Sequence, residues 1–217
     1  METLEMMPAR IRITSILRKA IYAGEYKGGD ELSLTDIAAR LGISRTPVRE
    51  AFQVLEGEGL ITLRMNKGAI VNTIDRKFVR DIFEMRILLE SEAARKAAEN
   101  GIREEILNSL LERLHDLRDH FDTLDTAEYL ALNQALHQAI WQAADNHQLT
   151  GYLLELWNGP SVGRGEKAAE HHYQASTHEH IDILQAIRDR QPEAAKEAMA
   201  RHIGRSMENM LAHYPDA

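Results

Sequence analysis

Residues 41–60 read Leu41-Gly42-Ile43-Ser44-Arg45-Thr46-Pro47-Val48-Arg49-Glu50-Ala51-Phe52-Gln53-Val54-Leu55-Glu56-Gly57-Glu58-Gly59-Leu60. Val48, Ala51, Phe52 and Leu55 fall three or four apart, the spacing of one buried helix face, and Ser44 stands where an N-cap belongs. Upstream, Ser33 followed three positions later by Asp36 is a capping-box pattern, and Leu34, Ile37, Ala38 and Leu41 make a short amphipathic helix that stops at Gly42. Only Gly42 to Ser44 separates the two helices. A short helix, a tight glycine turn and a second helix with exposed polar residues form a helix-turn-helix pattern. Working outward, Ile13, Ile16, Leu17, Ala20 and Ile21 predict an earlier helix over 10–23, closed by Gly24. On the other side, Leu60 to Arg64 and Ala69 to Thr73 are β-prone runs flanking Met65-Asn66-Lys67-Gly68, which reads as a hairpin with a basic tip, a wing.

From Asp75 onward only helical periodicity remains, with breaks at Asn100-Gly101, Asp122 to Asp125, near Asn146, Asn158 to Gly165 and Gln191-Pro192, which leaves room for six helices. The expected fold is therefore mainly α: an N-terminal winged helix-turn-helix over 1–73 and a C-terminal all-α antiparallel helical bundle over 74–217. The chain has no cysteine, which excludes disulfides and thiolate metal sites. No basic-then-apolar leader is visible in residues 1–10 and no uninterrupted apolar run approaches the length of a membrane span, so a cytoplasmic protein without membrane association is expected. A net charge of −8 opposes phosphate binding, yet residues 1–73 hold 10 Lys/Arg against 9 Asp/Glu while the remainder holds 16 against 25. The acidity belongs to the second domain, and the motif rather than the charge carries the case for DNA.

A recognition helix enters the major groove by its N-terminal end. Arg45, Thr46 and Arg49 occupy that end, and the two arginines, four apart, share one face from which a guanidinium can engage guanine or phosphate. Thr35 sits where the preceding helix would approach the backbone, and Lys67-Gly68 at the wing tip can reach the minor groove or its phosphates. Ser44-Arg45-Thr46-Pro47-Val48-Arg49-Glu50-Ala51, followed by Leu55, Gly59-Leu60, Gly68 and Val71, resembles the signature of the GntR family of bacterial regulators. The resemblance covers about residues 10 to 73 and implies that Arg45, Thr46, Arg49 and Gly68 contact operator DNA. Gly28-Gly29-Asp30 departs from the family's usual Pro-Gly at this turn.

In the second half, polar residues share the apolar stripes. Arg86 and Glu90 lie in line with Val79, Ile82, Phe83, Ala93 and Ala97; Asn133 and His137, one turn apart, lie with Leu132, Leu136 and Ile140. His180 joins Ile183, Leu184 and Ile187, while His202 joins Ala195, Ala198, Met199 and Met210. Any one such histidine reads as a hydrogen-bonded core residue, whereas three imidazoles and an amide oxygen converging in a bundle suit Zn²⁺, Ni²⁺ or a similar divalent ion with open positions. His115, His120, His147, His171, His172, His178 and His213 lack this placement and read as surface or loop residues.

This half resembles the FCD ligand-binding domain of the same family, in its smaller six-helix (VanR-like) form. The class's metal pattern is Asp or Asn, then His four later, then two histidines on the last two helices; it maps onto Asn133, His137, His180 and His202, and the class's inward arginine maps onto Arg86. An amide at Asn133 keeps the loaded site about +2, which favours an anion, and Arg86 adds a fork for a carboxylate effector. The expected protein is a homodimeric regulator binding an inverted-repeat double-stranded operator. The alternatives are the same regulator with a metal-free effector pocket held by apolar contacts and Arg86, and a metal-dependent enzyme fused to a DNA-binding domain, which lacks a general base singled out by spacing.

Overall fold

The computed structural model describes residues 9–65, 67–121, 125–157, 166–212 and 214, with backbone only for 166–170. Asn66, His213 and the breaks at 122–124 and 158–165 lie outside the described residues, as do residues 1–8, where no leader is expected. Two compact units divide the chain between Asp75 and Arg76.

The first unit runs α1 (Ala9–Tyr22), β1 (Glu31–Leu32), α2 (Leu34–Leu41), α3 (Arg45–Gly57), β2 (Ile61–Arg64) and β3 (Gly68–Val71). Ser33 caps α2 by accepting from the Asp36 amide, and Gly42 ends it at φ 65° in the left-handed region. Ser44 starts α3 with an extended backbone, but its hydroxyl makes no capping bond. Ile13, Leu17 and Ile21 of α1 join Ile37 of α2 and Val48, Phe52 and Leu55 of α3 in one core. A part-buried pair between Arg18 and Glu58 ties α1 to the end of α3.

The hairpin β2–β3 is antiparallel, pairing Arg64 with Gly68 and Ile61 with Val71. A third strand, β1, pairs with the other edge of β3, with Leu32 opposite Ala69. Sequence reading passed over β1 because two residues are too short to display a period. The Gly28-Gly29 departure now has a structural reason: Gly29, at φ 92°, donates to the Val71 carbonyl, and a Cβ on Gly28 would collide with Thr73.

Gly68 is buried, at φ 93°, and a Cβ there would overlap the Leu32 carbonyl oxygen. Its identity, read from sequence as that of a DNA contact beside Lys67, is explained by the close approach of β1. Gly68→Ala is expected to destabilise the first unit by at least about 2 kcal/mol, seen as faster amide hydrogen exchange in β1 and β3. Unchanged protection would contradict this account of the sheet.

The regular elements of the second unit among its described residues are all α-helices: α4 (Arg76–Asn100), α5 (Glu104–Asp119), α6 (Thr126–Ala143), α7 (His147–Trp157), α8 (Glu166–Arg188) and α9 (Pro192–Leu211). These are the six helices the breaks predict. Packing is most extensive between α4 and α9, and α4 carries the fully buried small residues Ala93, Ala94 and Ala97. Pro192 opens α9 where its missing N–H costs nothing, and Arg190 just before it donates to the Glu99 carbonyl at the end of α4. None of the described helices is long and apolar enough to cross a membrane.

Candidate DNA-reading surface and three-histidine site

Burial of Val48, Ala51, Phe52 and Leu55 turns the opposite side of α3 outward. Arg45, Thr46 and Arg49 are exposed on its first two turns, Ser44 is exposed at its cap, and Thr35 is exposed in the first turn of α2. Lys67 is exposed beside the hairpin tip. Arg45, Arg49 and Lys67 form no ion pair with a described residue, unlike Arg64, which reaches Glu31 at 3.3 Å. Cations left without carboxylate partners make an anion-facing surface.

In the second unit, α6, α8 and α9 bring His137, His180 and His202 together, with one ring nitrogen of each inside a 4.8 Å cluster. All three are buried. The Nε2 atoms of His180 and His202 lie 3.2 Å apart. That is about the separation of two nitrogens sharing one ion at ~2.0–2.1 Å each. His137 directs Nδ1 to Glu90 at 2.6 Å, and His202 directs Nδ1 to Glu179 at 2.7 Å. A ring nitrogen that donates to a carboxylate leaves a lone pair on the other nitrogen, so both of these Nε2 atoms are poised as ligands. His180 Nδ1 is buried without a hydrogen-bond partner among the described residues. Asn133 is half-buried one turn before His137.

The carboxylates are themselves held. Glu90, 0% exposed, accepts from Nε and Nη2 of Arg86 at 2.9 and 2.8 Å. Burial alone would raise its pKa, but Arg86 and His137 outweigh burial and hold it at about 2. Arg86 is therefore paired with Glu90, its neighbour on the same inward stripe of α4; it lies 5.0 Å from the Phe83 ring and 5.2 Å from that of Trp157. Glu179 is likewise about 2, burial being outweighed by hydrogen bonds from His202 and Arg205.

Sequence reading missed this second assembly. Arg205 on α9 donates to both oxygens of Glu179, to Ser176 Oγ at 2.6 Å and to His172 Nδ1 at 3.0 Å on α8. The expectation that His172 is a surface residue is corrected: it is buried, and desolvation together with Arg205 lowers its pKa to about 4. His115 is also half-buried, with a buried Nδ1 that finds no partner among the described residues. His120, His147, His171 and His178 are exposed as expected. The available signal was the spacing of His172, Ser176 and Glu179, which places them on one helix face.

Burial depresses the pKa of His180 well below 6.5 and lowers that of His202 despite its bond to Glu179. The unfolded chain takes up protons near 6.5 that these buried rings and His172 refuse, so stability is complete above that pH and falls as pH drops below it, the His172 share being lost toward about 4. Glu90 and Glu179 act lower, their contribution being lost only as pH falls from 4.5 toward 2. Calorimetry of metal-free protein between pH 8 and 4.5 is expected to show the melting temperature falling below about pH 6.5. A flat profile from pH 7 to 5 would contradict the buried neutral histidines.

Residues 10–71 match the bacterial regulatory proteins of the gntR family, and residues 81–205 match the FCD domain. The chain belongs to the gntR family. Its similarity to the HTH-type transcriptional repressor RspR of Escherichia coli K12 is 31% identity over 199 residues, covering 90% of this chain and 86% of that protein. Against the gluconate operon transcriptional repressor of Bacillus subtilis it is 30% over 148 residues, covering 68% of this chain and 58% of the relative. The solved structure of E. coli McbR/YncC shares the fold, with a TM-score of 0.72 at 21% identity, over 97% of this chain and all of that one. This gntR-family chain is thus a DNA-binding transcription regulator and not an enzyme.

Proposed function

We propose that the chain is a metabolite-responsive repressor, binding an inverted-repeat operator as a homodimer and sensing a small organic acid through a divalent ion in its helical core. The repressor sign draws on the likeness to RspR. Arg45 and Arg49 read base edges or phosphates, Thr46, Ser44 and Thr35 fix the helix pair on the backbone, and Lys67 anchors the wing. Pairing of two heads supplies the contacts that one short recognition helix lacks.

The observation that carries the sensor reading is the convergence of three buried imidazoles, two of them oriented by carboxylates. His137, His180 and His202 would hold Zn²⁺ or Ni²⁺, with Asn133 as the oxygen ligand and open positions for a carboxylate. The ion supplies a positive centre for the acid. That centre is needed because Arg86 is already neutralised by Glu90 and Arg205 by Glu179, so the ionised groups around the histidines balance. Arg86 retains its Nη1 edge for the effector, in support of the metal rather than in place of it. Effector binding then shifts operator affinity by its differential affinity for the DNA-competent state.

Gel-shift titration on an operator selected from random DNA, with zinc present and a panel of mono-, di- and tricarboxylates, tests this. The expected result is a shift in apparent affinity of about 5- to 150-fold for one acid class. An affinity unmoved by every acid would contradict the sensor role while leaving DNA binding intact.

A further inference from the structure

Two of the three histidines stand at the end of the same kind of chain. Arg86 holds Glu90, which holds His137 Nδ1; Arg205 holds Glu179, which holds His202 Nδ1. The two chains are built from different helices, α4 to α6 in one and α9 to α8 and back in the other. The third histidine, His180, has no such support at Nδ1.

We propose that Arg86–Glu90 and Arg205–Glu179 are positioning pairs that lock His137 and His202 in the Nδ1–H tautomer and so aim both Nε2 lone pairs at one ion. This rests on the metal-sensor reading and assigns it three further residues, Glu90, Glu179 and Arg205, with a second role for Arg86. A buried carboxylate fixes which ring nitrogen carries the proton, and the arginine fixes the carboxylate. Arg205 does more than neutralise: its bonds to Ser176 and His172 hold Glu179 in the orientation that reaches His202 across the α8–α9 contact. In the metal-free protein, the His202 Nε2 lone pair is then left to accept from His180 Nε2–H at 3.2 Å, so His180 alone carries its proton on the nitrogen it must offer to an ion. Metal loading requires His180 to move that proton to Nδ1, whereas His137 and His202 stay as they are.

The test pairs histidine ¹⁵N spectra of chelator-treated protein with zinc titration of wild type, Glu179→Gln and the neutral double variant Glu179→Gln/Arg205→Met. The double variant removes both buried charges together, so a measurement survives if the single variant fails to fold. Expected are Nδ1–H signals for His137 and His202, an Nε2–H signal for His180 that switches on zinc addition, and a zinc affinity about 10- to 100-fold weaker in the variants. A purely structural role for Glu179 would leave the His202 tautomer unchanged in the variants. Nε2–H signals at His137 or His202, or zinc affinity in the variants within twofold of wild type, would overturn the proposal. A wild-type protein that binds no zinc but shows the expected tautomers would overturn the metal reading, and with it the assignment of these pairs to an ion; equal binding by wild type and variants would overturn the pairs alone.

Discussion

Replacing Arg45 and Arg49 together by alanine is expected to weaken operator binding at least about thirtyfold, since a guanidinium engaged with a base edge is worth about 1–3 kcal/mol. Both side chains are exposed on the first two turns of α3 and pair with no described carboxylate, so the fold has no call on them. Stability should stay within about 0.5 kcal/mol of wild type, as for other surface substitutions away from structural features. The contrast with Phe52, on the opposite side of the same helix and 0% exposed, is instructive. Truncating that ring would remove DNA binding by unfolding the unit, and a thermal scan beside the binding curve separates the two causes. Fluorescence anisotropy on the selected operator gives the measurement; affinity within threefold of wild type would move the reading surface away from α3.

The second large effect is expected at Glu90. Glu90→Ala leaves the Arg86 guanidinium, 12% exposed, and His137 Nδ1 buried without their partner, a change that costs about 3–5 kcal/mol when one member of a buried pair is removed. Removing both charges in Glu90→Ala/Arg86→Met is expected to recover much of that loss, because the desolvated cation disappears with its counter-charge. Urea unfolding followed by tryptophan fluorescence reports this unit selectively. Both tryptophans of the chain, Trp141 and Trp157, lie in it, and the Trp157 ring is 4.8 Å from that of His137. A loss below about 1 kcal/mol in the single variant would mean that Arg86 finds other partners and that the Glu90 cluster is no structural node.

These two sites differ in how far the sequence discloses them. Helices α2 and α3 were legible because each carries a local code: a cap residue, an apolar stripe of helical period and a stop glycine. His137, His180 and His202 were legible for a related reason, since each interrupts an apolar stripe that is otherwise buried. The partners that give those histidines their chemistry were harder to see. Glu179 lies next to His180 in sequence yet serves His202, on the following helix, and Arg205 reaches back to three residues of α8. Such pairings follow from the rotation of two packed helices about each other, which periodicity within either helix does not encode. His172 escaped for the same reason: its face of α8 is lined by polar residues, so burial left no apolar signature. Gly68 carries a different lesson: the resemblance implies a DNA contact there, and the nearby backbone of β1 requires a glycine at that position in any case, a tertiary contact that the local sequence does not disclose.

A divalent ion at the point among the three imidazoles is what would make the helical unit a sensor. Crystals grown with zinc and measured at the zinc absorption edge test it most directly. One anomalous peak per chain is predicted, bonded to Nε2 of His137, His180 and His202, with Glu90 and Glu179 still on the Nδ1 atoms of the first and last. No peak at that point, or zinc ligated through Nδ1 with the carboxylates displaced, would contradict it.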